Sequence, residues 1–155
     1  MKDSQSQVKF RLVERALEVF RRVGVDVKNY GNSQNRTSLE LRNAGPEITL
    51  YGRNKTVALE VDPLLVPTGI VLALKPGQVA SIKATTDLAP AHVNIRDFAF
   101  EYTYDGEIFV SFVNIGESDV TIPEGAILPA RLFVTSCASS FKIISDLEYL
   151  EEKSP

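Results

Sequence analysis

The chain carries two hydrophobic periods, and the first of them is helical. Between Val8 and Val23, apolar residues recur every three or four positions, with charged residues on the opposite face. This spacing predicts an N-terminal helix that ends at Gly24, a typical C-cap residue. Because Val8, Phe10 and Leu12 also alternate, a short strand leading into the segment is an open alternative. We expect the helix to dock on the rest of the fold, since a partner-binding helix would need a second apolar stripe.

From Ser38 onward the period changes to two, which is typical of β-strands. Turn signals separate the alternating segments, among them Pro63–Pro67 and the pair Asp105-Gly106, which favours a type I′ hairpin. Many short strands at this spacing predict an all-β antiparallel barrel or sandwich. The predicted strands are Ser38–Arg42, Glu47–Tyr51, Thr56–Val61, Gly69–Leu74, Gln78–Ala84, Ala91–Ile95, Phe98–Tyr102, Glu107–Val113, Ser118–Ile122, Ile127–Val134 and Phe141–Ser145.

The composition fits one compact domain in a reducing compartment. The 155 residues carry a net charge of −3, which gives no reason to expect DNA binding or membrane binding. Cys137 is the single cysteine, and neither a signal peptide nor a membrane span is evident. We therefore expect an intracellular, cytoplasmic protein with three parts: an N-terminal helix and loop over 1–36, a β domain over 37–145 and an acidic tail over 146–155.

Two segments of the β region carry a resemblance to a known family. The sequences VPTGI at Val66–Ile70 and YDGEI at Tyr104–Ile108, followed by Phe112–Asn114 and Gly125, resemble the trimeric dUTPases. That family also includes dCTP deaminases and several non-enzymatic relatives. The resemblance covers about residues 44–134. It implies a jelly-roll-like antiparallel β-barrel, a homotrimer and ligand pockets between subunits.

The first two motifs of that family are altered in this chain. Ala44–Ile48 reads AGPEI where the family has Ala-Gly-Tyr-Asp-Leu, so Glu47 is the candidate for the acid that organises the metal site. Thr85–Ala89 reads TTDLA where the family has Arg-Ser-Ser-Leu-Ala, and Asp87 places a negative charge where phosphates should lie. The resemblance makes candidate ligand-binding residues of Thr85, Thr86 and Asp87.

The later motifs keep an aromatic residue and lose most of the charged ones. Tyr104 matches the tyrosine that lies under the deoxyribose, and Glu101 replaces, with one more methylene, the aspartate that orients the attacking water. A displacement of ~1 Å can cost ~100-fold in rate. The family motif has an arginine directly after the tyrosine, and this chain has Asp105 at that position. Gly125–Ala130 lacks the charged and amide side chains of the fourth motif, and no later glycine forms the arm that closes over the phosphates.

Other candidate sites have simpler structural interpretations. His92 could form a general-base pair with Glu101 or Asp97, but a lone histidine on a strand is more often structural. The arginines between Arg11 and Arg22 alternate with glutamates, which favours a solvated helix face over a basic patch.

The altered motifs lack the cations on which phosphoryl chemistry depends. We therefore predict a non-catalytic, viral-type accessory protein that binds a regulatory protein or a nucleotide-like ligand at Glu101, Tyr104 and the second motif, without a cofactor. Two alternatives stay open: a virion or assembly component built from the trimer, and a divergent, Mg²⁺-dependent dUTP diphosphatase in which Glu101 acts. The apolar stretch Leu132–Ile144, which could cross to a neighbouring subunit, also favours a trimer.

Overall fold

The computed structural model describes residues 8–30, 38–52, 64–85, 92–96, 98–136 and 143–154. Short antiparallel strands dominate these residues, which confirms the predicted all-β class with an N-terminal helix. The strands are β1 (Lys9–Leu12), β2 (Leu39–Arg42), β3 (Ile48–Leu50), β4 (Leu64–Pro67), β5 (Ile70–Ala73), β6 (Gln78–Ala84), β7 (Val93–Arg96), β8 (Phe98–Glu101), β9 (Phe109–Asn114), β10 (Val120–Ile122) and β11 (Ile127–Ser136). The helices are α1 (Glu14–Arg22) and α2 (Asp146–Lys153), and a 3₁₀ turn spans Val27–Asn29. No helix in this part of the chain is long and apolar enough to cross a membrane.

The strands pair in antiparallel groups that enclose one core. β2, β11, β6 and β8 follow one another in a four-stranded sheet, and β4, β9 and β7 form a three-stranded sheet. Two further pairs among the described strands are β1 with β5 and β3 with β10. Inward-facing residues from several strands meet in this core, so that Val66, Ile82, Val110 and Phe112 are buried together.

The N-terminal segment contains both elements that its periodicity allows. Lys9–Leu12 forms β1, antiparallel to β5, and α1 begins directly afterwards at Glu14. The helix ends in a Schellman motif, in which Gly24 takes a φ of 85° and two backbone hydrogen bonds close the last turn. The helix is therefore shorter than predicted, because the alternating residues at its start belong to a strand.

α1 docks on the β domain through small and aromatic residues. Ala16 is fully buried against Gly69, at which an added Cβ would lie 2.2 Å from the Ala16 Cβ. Phe20 is also fully buried and stacks on Tyr30, with the ring centroids 5.5 Å apart. The Tyr30 hydroxyl donates to the Glu40 carbonyl oxygen, and burial, followed by the charge of Glu40, raises the pKa of this hydroxyl. The expected docking role of the helix agrees with these contacts.

The predicted turn at Pro63–Pro67 and the predicted type I′ hairpin at Asp105-Gly106 are wrong. Leu64–Pro67 is strand β4, since it pairs residue by residue with β9. The Asp105-Gly106 turn does not join paired strands, because β8 pairs with β6 while β9 pairs with β4 and β7. Gly106 also lacks the positive φ that a type I′ turn requires.

The C-terminal part of the chain differs from expectation as well. The predicted strand Phe141–Ser145 is not present at residues 143–145. Instead, the Ser145 hydroxyl accepts a hydrogen bond from the Glu148 N–H and caps α2, which occupies most of the predicted acidic tail. The predicted strand Thr56–Val61 lies outside the described residues.

Candidate functional site

The Tyr104 turn, defined here as residues 101–108, holds an aromatic ring at the surface. The Tyr104 hydroxyl donates a 2.6 Å hydrogen bond to the Glu107 carbonyl oxygen. The ring centroid lies 5.1 Å from that of Phe100, and an added Cβ on Gly106 would lie 3.0 Å from the Tyr104 hydroxyl oxygen. Although these contacts fix the ring, 41% of Tyr104 stays exposed. The turn therefore presents an ordered aromatic surface on which a ligand can stack.

The same turn contains two acidic residues. Glu101 is the last residue of β8 and Asp105 follows Tyr104, and both acids are exposed. The Glu101 carbonyl oxygen accepts a 3.0 Å bond from the Tyr104 N–H, so one short turn brings these two predicted site residues together. Two negative charges in this short turn disfavour a polyphosphate beside it unless a cation bridges the charges.

Glu107 anchors the Tyr104 turn to the segment that precedes β5. Its Oε2 accepts a 2.9 Å bond from the Gly69 N–H and pairs with the Arg15 guanidinium. Next to it, the Thr68 hydroxyl donates a 2.6 Å bond to the Ile108 carbonyl oxygen. The two segments that carry the family resemblance therefore lie side by side and are bonded to each other.

A buried asparagine organises the loop that follows β2. Asn43 is fully buried, and its Oδ1 accepts a 2.9 Å bond from the Gly45 N–H. Its side-chain amide donates to backbone carbonyl oxygens at 3.1–3.4 Å, those of Pro46, Ile122 and Pro123. The loop toward Glu47 is in this way joined to the turn that precedes β11.

Glu47, the candidate metal ligand, lies at the surface end of this loop. Within the described ranges, no group of three or more His, Cys, Asp or Glu side chains is arranged to hold a metal ion. Thr86, Asp87 and Asp97 lie outside the described residues. A metal-binding role for Glu47 stays a prediction.

Thr85 lies far from the Tyr104 turn within one chain. In the β6–β8 ladder Val79 faces Glu101, and Thr85 is six positions further along the extended chain, which corresponds to about 20 Å. The Thr85 Oγ1 is buried and has no hydrogen-bond partner among the described residues. A pocket that used both Thr85 and Tyr104 would therefore need a second subunit.

His92 packs its ring against the backbone of Gly116, where an added Cβ would lie 2.5 Å from the ring Cδ2. Its Nε2 is buried and makes no hydrogen bond to the part of the chain that the structure describes. The close packing favours the structural interpretation of this histidine.

The arginine-bearing face of α1 is exposed and also makes ion pairs with the β domain. Arg15 and Arg22 form ion pairs with Glu107 and Glu124, which belong to the β domain. These two arginines are nevertheless 47% and 61% exposed, and Arg11 and Arg21 are exposed as well, which agrees with the expected solvated face.

No local pattern in the sequence predicts the contacts of Asn43, Arg15 and Glu107. Arg15 and Glu107 are 92 positions apart, and Asn43 bonds across 79 and 80 positions to its two most distant acceptors. The one available signal is the position of Glu107 in the YDGEI segment that carries the resemblance.

No protein-family model matches the chain, and no curated protein sequence matches it. Solved structures of dUTPases do match. The dUTPase of Staphylococcus bacteriophage 80alpha has a TM-score of 0.67 and 11% identity, over 92% of this chain and 97% of that one. A dUTPase variant from phage phi11 of S. aureus has a TM-score of 0.66 and 13% identity, over 91% of this chain and 97% of that one. The EIAV dUTPase has a TM-score of 0.60 and 20% identity, over 74% of this chain and 87% of that one. The chain therefore has the dUTPase-like fold.

Proposed function

We propose that this chain is a non-catalytic binding module of dUTPase-like fold, a viral-type accessory protein that acts as a homotrimer and binds a nucleotide-like ligand or a regulatory protein between subunits. The observation that carries the proposal is the Tyr104 ring, which is fixed, 41% exposed and part of a short turn that also contains the exposed acids Glu101 and Asp105. Such a surface suits the flat, uncharged part of a nucleoside. It does not suit a triphosphate.

The same geometry argues against phosphoryl chemistry at this position. Catalysis of that kind relies on positioned cations and a metal to offset developing negative charge. Beside Tyr104 the chain carries Asp105 where the resembling family has an arginine, and Glu101 extends its carboxylate by one methylene. The neighbours in structure are dUTPases, so a divergent enzyme is the outcome against which the proposal is tested.

Solved relatives in fold give the binding role a precedent. Phage dUTPases, the 80alpha protein among them, are described as controlling transfer of virulence genes by a proto-oncogenic G protein-like mechanism. A protein of this fold can therefore act on a regulatory process. We extend that kind of role to this chain, in which Tyr104 still offers a ring for ligand binding while Asp87 and Asp105 have replaced residues of the family's phosphate-binding motifs.

Ligand binding should depend on Tyr104 and not on its neighbour Tyr102. Stacking on an aromatic ring contributes ~1–3 kcal/mol. We therefore expect Tyr104→Ala to raise the Kd for deoxyuridine or dUMP by about 5- to 150-fold. Tyr102, which is 50% exposed in the same turn, supplies the matched control Tyr102→Ala. Thermal shift is the readout, since a ligand at 100 times its Kd should stabilise the wild type by about 2.7 kcal/mol.

Incubation of the wild-type protein with dUTP and Mg²⁺ separates this proposal from the divergent enzyme. We expect no pyrophosphate release above that of a buffer control. Release that disappears in Glu101→Gln would overturn the non-catalytic assignment. If no nucleoside or nucleotide shifts the thermal transition, the ligand is a protein or the trimer is a structural component.

The homotrimer is supported by apolar surface that a monomer leaves open. β8 lies at the edge of its sheet and pairs only with β6 among the described strands, although Phe98 and Ala99 carry no charge that would block pairing. Leu65 is 57% exposed and Phe109 is 37% exposed. Because Thr85 also lies about 20 Å along the ladder from Glu101, this surface favours subunits that meet around the site.

Light scattering should give a solution mass of about three times 17.1 kDa. Replacing Phe98 with glutamate on the exposed edge strand should shift the population toward the monomer, because the charge would have to be buried at the subunit contact. The control is Tyr51→Glu, at a residue that is 74% exposed and lies outside β8. A monomeric mass for the wild type at micromolar concentration would contradict the trimer.

A further inference from the structure

Arg15 contacts both segments of the candidate site from outside the β domain. It lies in the first turn of α1, and its Nη2 pairs with Glu107 Oε2. Its Nε donates a 3.3 Å hydrogen bond to the carbonyl oxygen of Ala44. One guanidinium therefore connects the loop toward Glu47 with the Tyr104 turn, and both bonds use the fork geometry that is particular to arginine.

Glu107 transmits this contact to the Tyr104 ring. Its side chain is 13% exposed, and its Oε2 both pairs with Arg15 and accepts a hydrogen bond from the Gly69 N–H. Its backbone carbonyl oxygen accepts the 2.6 Å hydrogen bond from the Tyr104 hydroxyl. The residue that Arg15 holds by its carboxylate is thus the residue that fixes the orientation of the ring.

We propose that Arg15 is a positioning residue: through Glu107 it sets the orientation of Tyr104, so that α1 controls ligand binding without touching the ligand. This inference rests on the proposed binding function of the Tyr104 turn. It assigns to α1 a role beyond docking on the fold. When Arg15 moves away, the Glu107 carboxylate keeps its bond from the Gly69 N–H but loses the ion pair, and the ring then samples orientations in which it cannot stack.

A contribution to stability does not account for the Arg15 contacts. The Arg15 side chain is 47% exposed, and ion pairs at such positions contribute little to folding. Arg22 lies on the same helix and pairs with Glu124, at 2.5 Å, with a side chain that is 61% exposed. Both are arginine–glutamate pairs between α1 and the β domain, although Glu124, at 28%, is more exposed than Glu107, at 13%. Glu124 belongs to the turn before β11 and is not part of the Tyr104 turn. Arg22 is therefore the matched control.

The ring orientation can be measured without any ligand. The protein contains five tyrosines, and labelling them with 3-fluorotyrosine gives ¹⁹F resonances, of which Tyr104→Phe identifies one. We expect Arg15→Met to shift or broaden the Tyr104 resonance in the free protein, and Arg22→Met to leave it unchanged. An unchanged Tyr104 resonance in Arg15→Met overturns the inference. Equal changes in both variants also overturn it, because they would show general loosening of α1.

Binding of deoxyuridine supplies the second readout. We expect Arg15→Met to raise the Kd between about threefold and thirtyfold, the range found for residues that act through others, and Arg22→Met to leave it unchanged. Arg15→Lys keeps the charge but cannot bond Ala44 and Glu107 in the same geometry, so we expect an intermediate Kd. It also replaces Arg15→Met if that variant does not fold. If the wild type binds no nucleoside, the nucleotide-like ligand of the proposed function is ruled out, while the ¹⁹F resonance still decides the positioning role.

Discussion

Asn43→Asp should destabilise the fold by roughly 3–5 kcal/mol, because it places an uncompensated charge in a buried site. The substitution keeps the shape of the side chain and removes both amide hydrogens. A carboxylate oxygen would then face the three backbone carbonyl oxygens to which the amide now donates, at 3.1–3.4 Å. Since the free energy of unfolding of a single domain is only ~5–15 kcal/mol, this loss is a large part of the total stability.

Urea unfolding followed by far-ultraviolet circular dichroism measures this effect as a shift in the midpoint. The matched control is Asn94→Asp, which makes the same chemical change at an exposed position of β7 and should cost no more than about 0.5 kcal/mol. Asn43→Ala should fall between the two, since it leaves the carbonyl oxygens without a donor but adds no charge. Equal midpoints for Asn43→Asp and Asn94→Asp would contradict the role of Asn43 as the joint between these loops.

Much of the all-β fold could be predicted because the signals of its strands are local. The alternation of Gln78–Ala84 marks β6 with its observed bounds, and the φ of 87° at Gly77 agrees with the turn signal of Pro76-Gly77. The strand β4 lacks such a signal: Pro63 and Pro67 are typical turn residues, while pairing with β9 is a property of residues more than forty positions away. Tertiary pairing overrides local propensity in such a case.

The candidate site could be predicted only in part, because its groups meet across long distances in the chain. The resemblance identifies Tyr104 and Glu101, and one turn brings them together. The hydrogen bonds that orient Tyr104 depend on Glu107, whose partners Gly69 and Arg15 are 38 and 92 positions away. Whether Thr85 joins the site depends on a second subunit, and no pattern within one chain specifies that contact.

Gly69→Ala should be the second severe substitution, with a loss of about 2–5 kcal/mol from two causes. Gly69 has a φ of 75°, and an L-residue in this left-handed region costs ~1–2 kcal/mol. In addition, the new Cβ would lie 2.2 Å from the Ala16 Cβ and 3.1 Å from the Ala44 Cβ, and overpacking of this kind costs ~1–3 kcal/mol. The helix α1 would have to move away from the β domain to relieve the contact.

Gly24→Ala separates the two causes. Gly24 has a φ of 85°, but a Cβ added there would meet no atom within 4 Å, so only the backbone cost of ~1–2 kcal/mol applies. A second variant tests the contact itself. Adding Ala16→Gly to Gly69→Ala removes the clashing methyl group, and the double variant should be more stable than Gly69→Ala alone although glycine within a helix costs ~1 kcal/mol.

Gly69→Ala should also disturb the candidate site, because the Gly69 N–H donates a hydrogen bond to Glu107. A displaced α1 in Gly69→Ala should therefore disturb the Tyr104 turn as Arg15→Met does, and the ¹⁹F resonance of Tyr104 reports that change. If Gly69→Ala and Gly24→Ala unfold at the same urea concentration, the Ala16 contact is not tight, and α1 is held on the β domain by its other contacts.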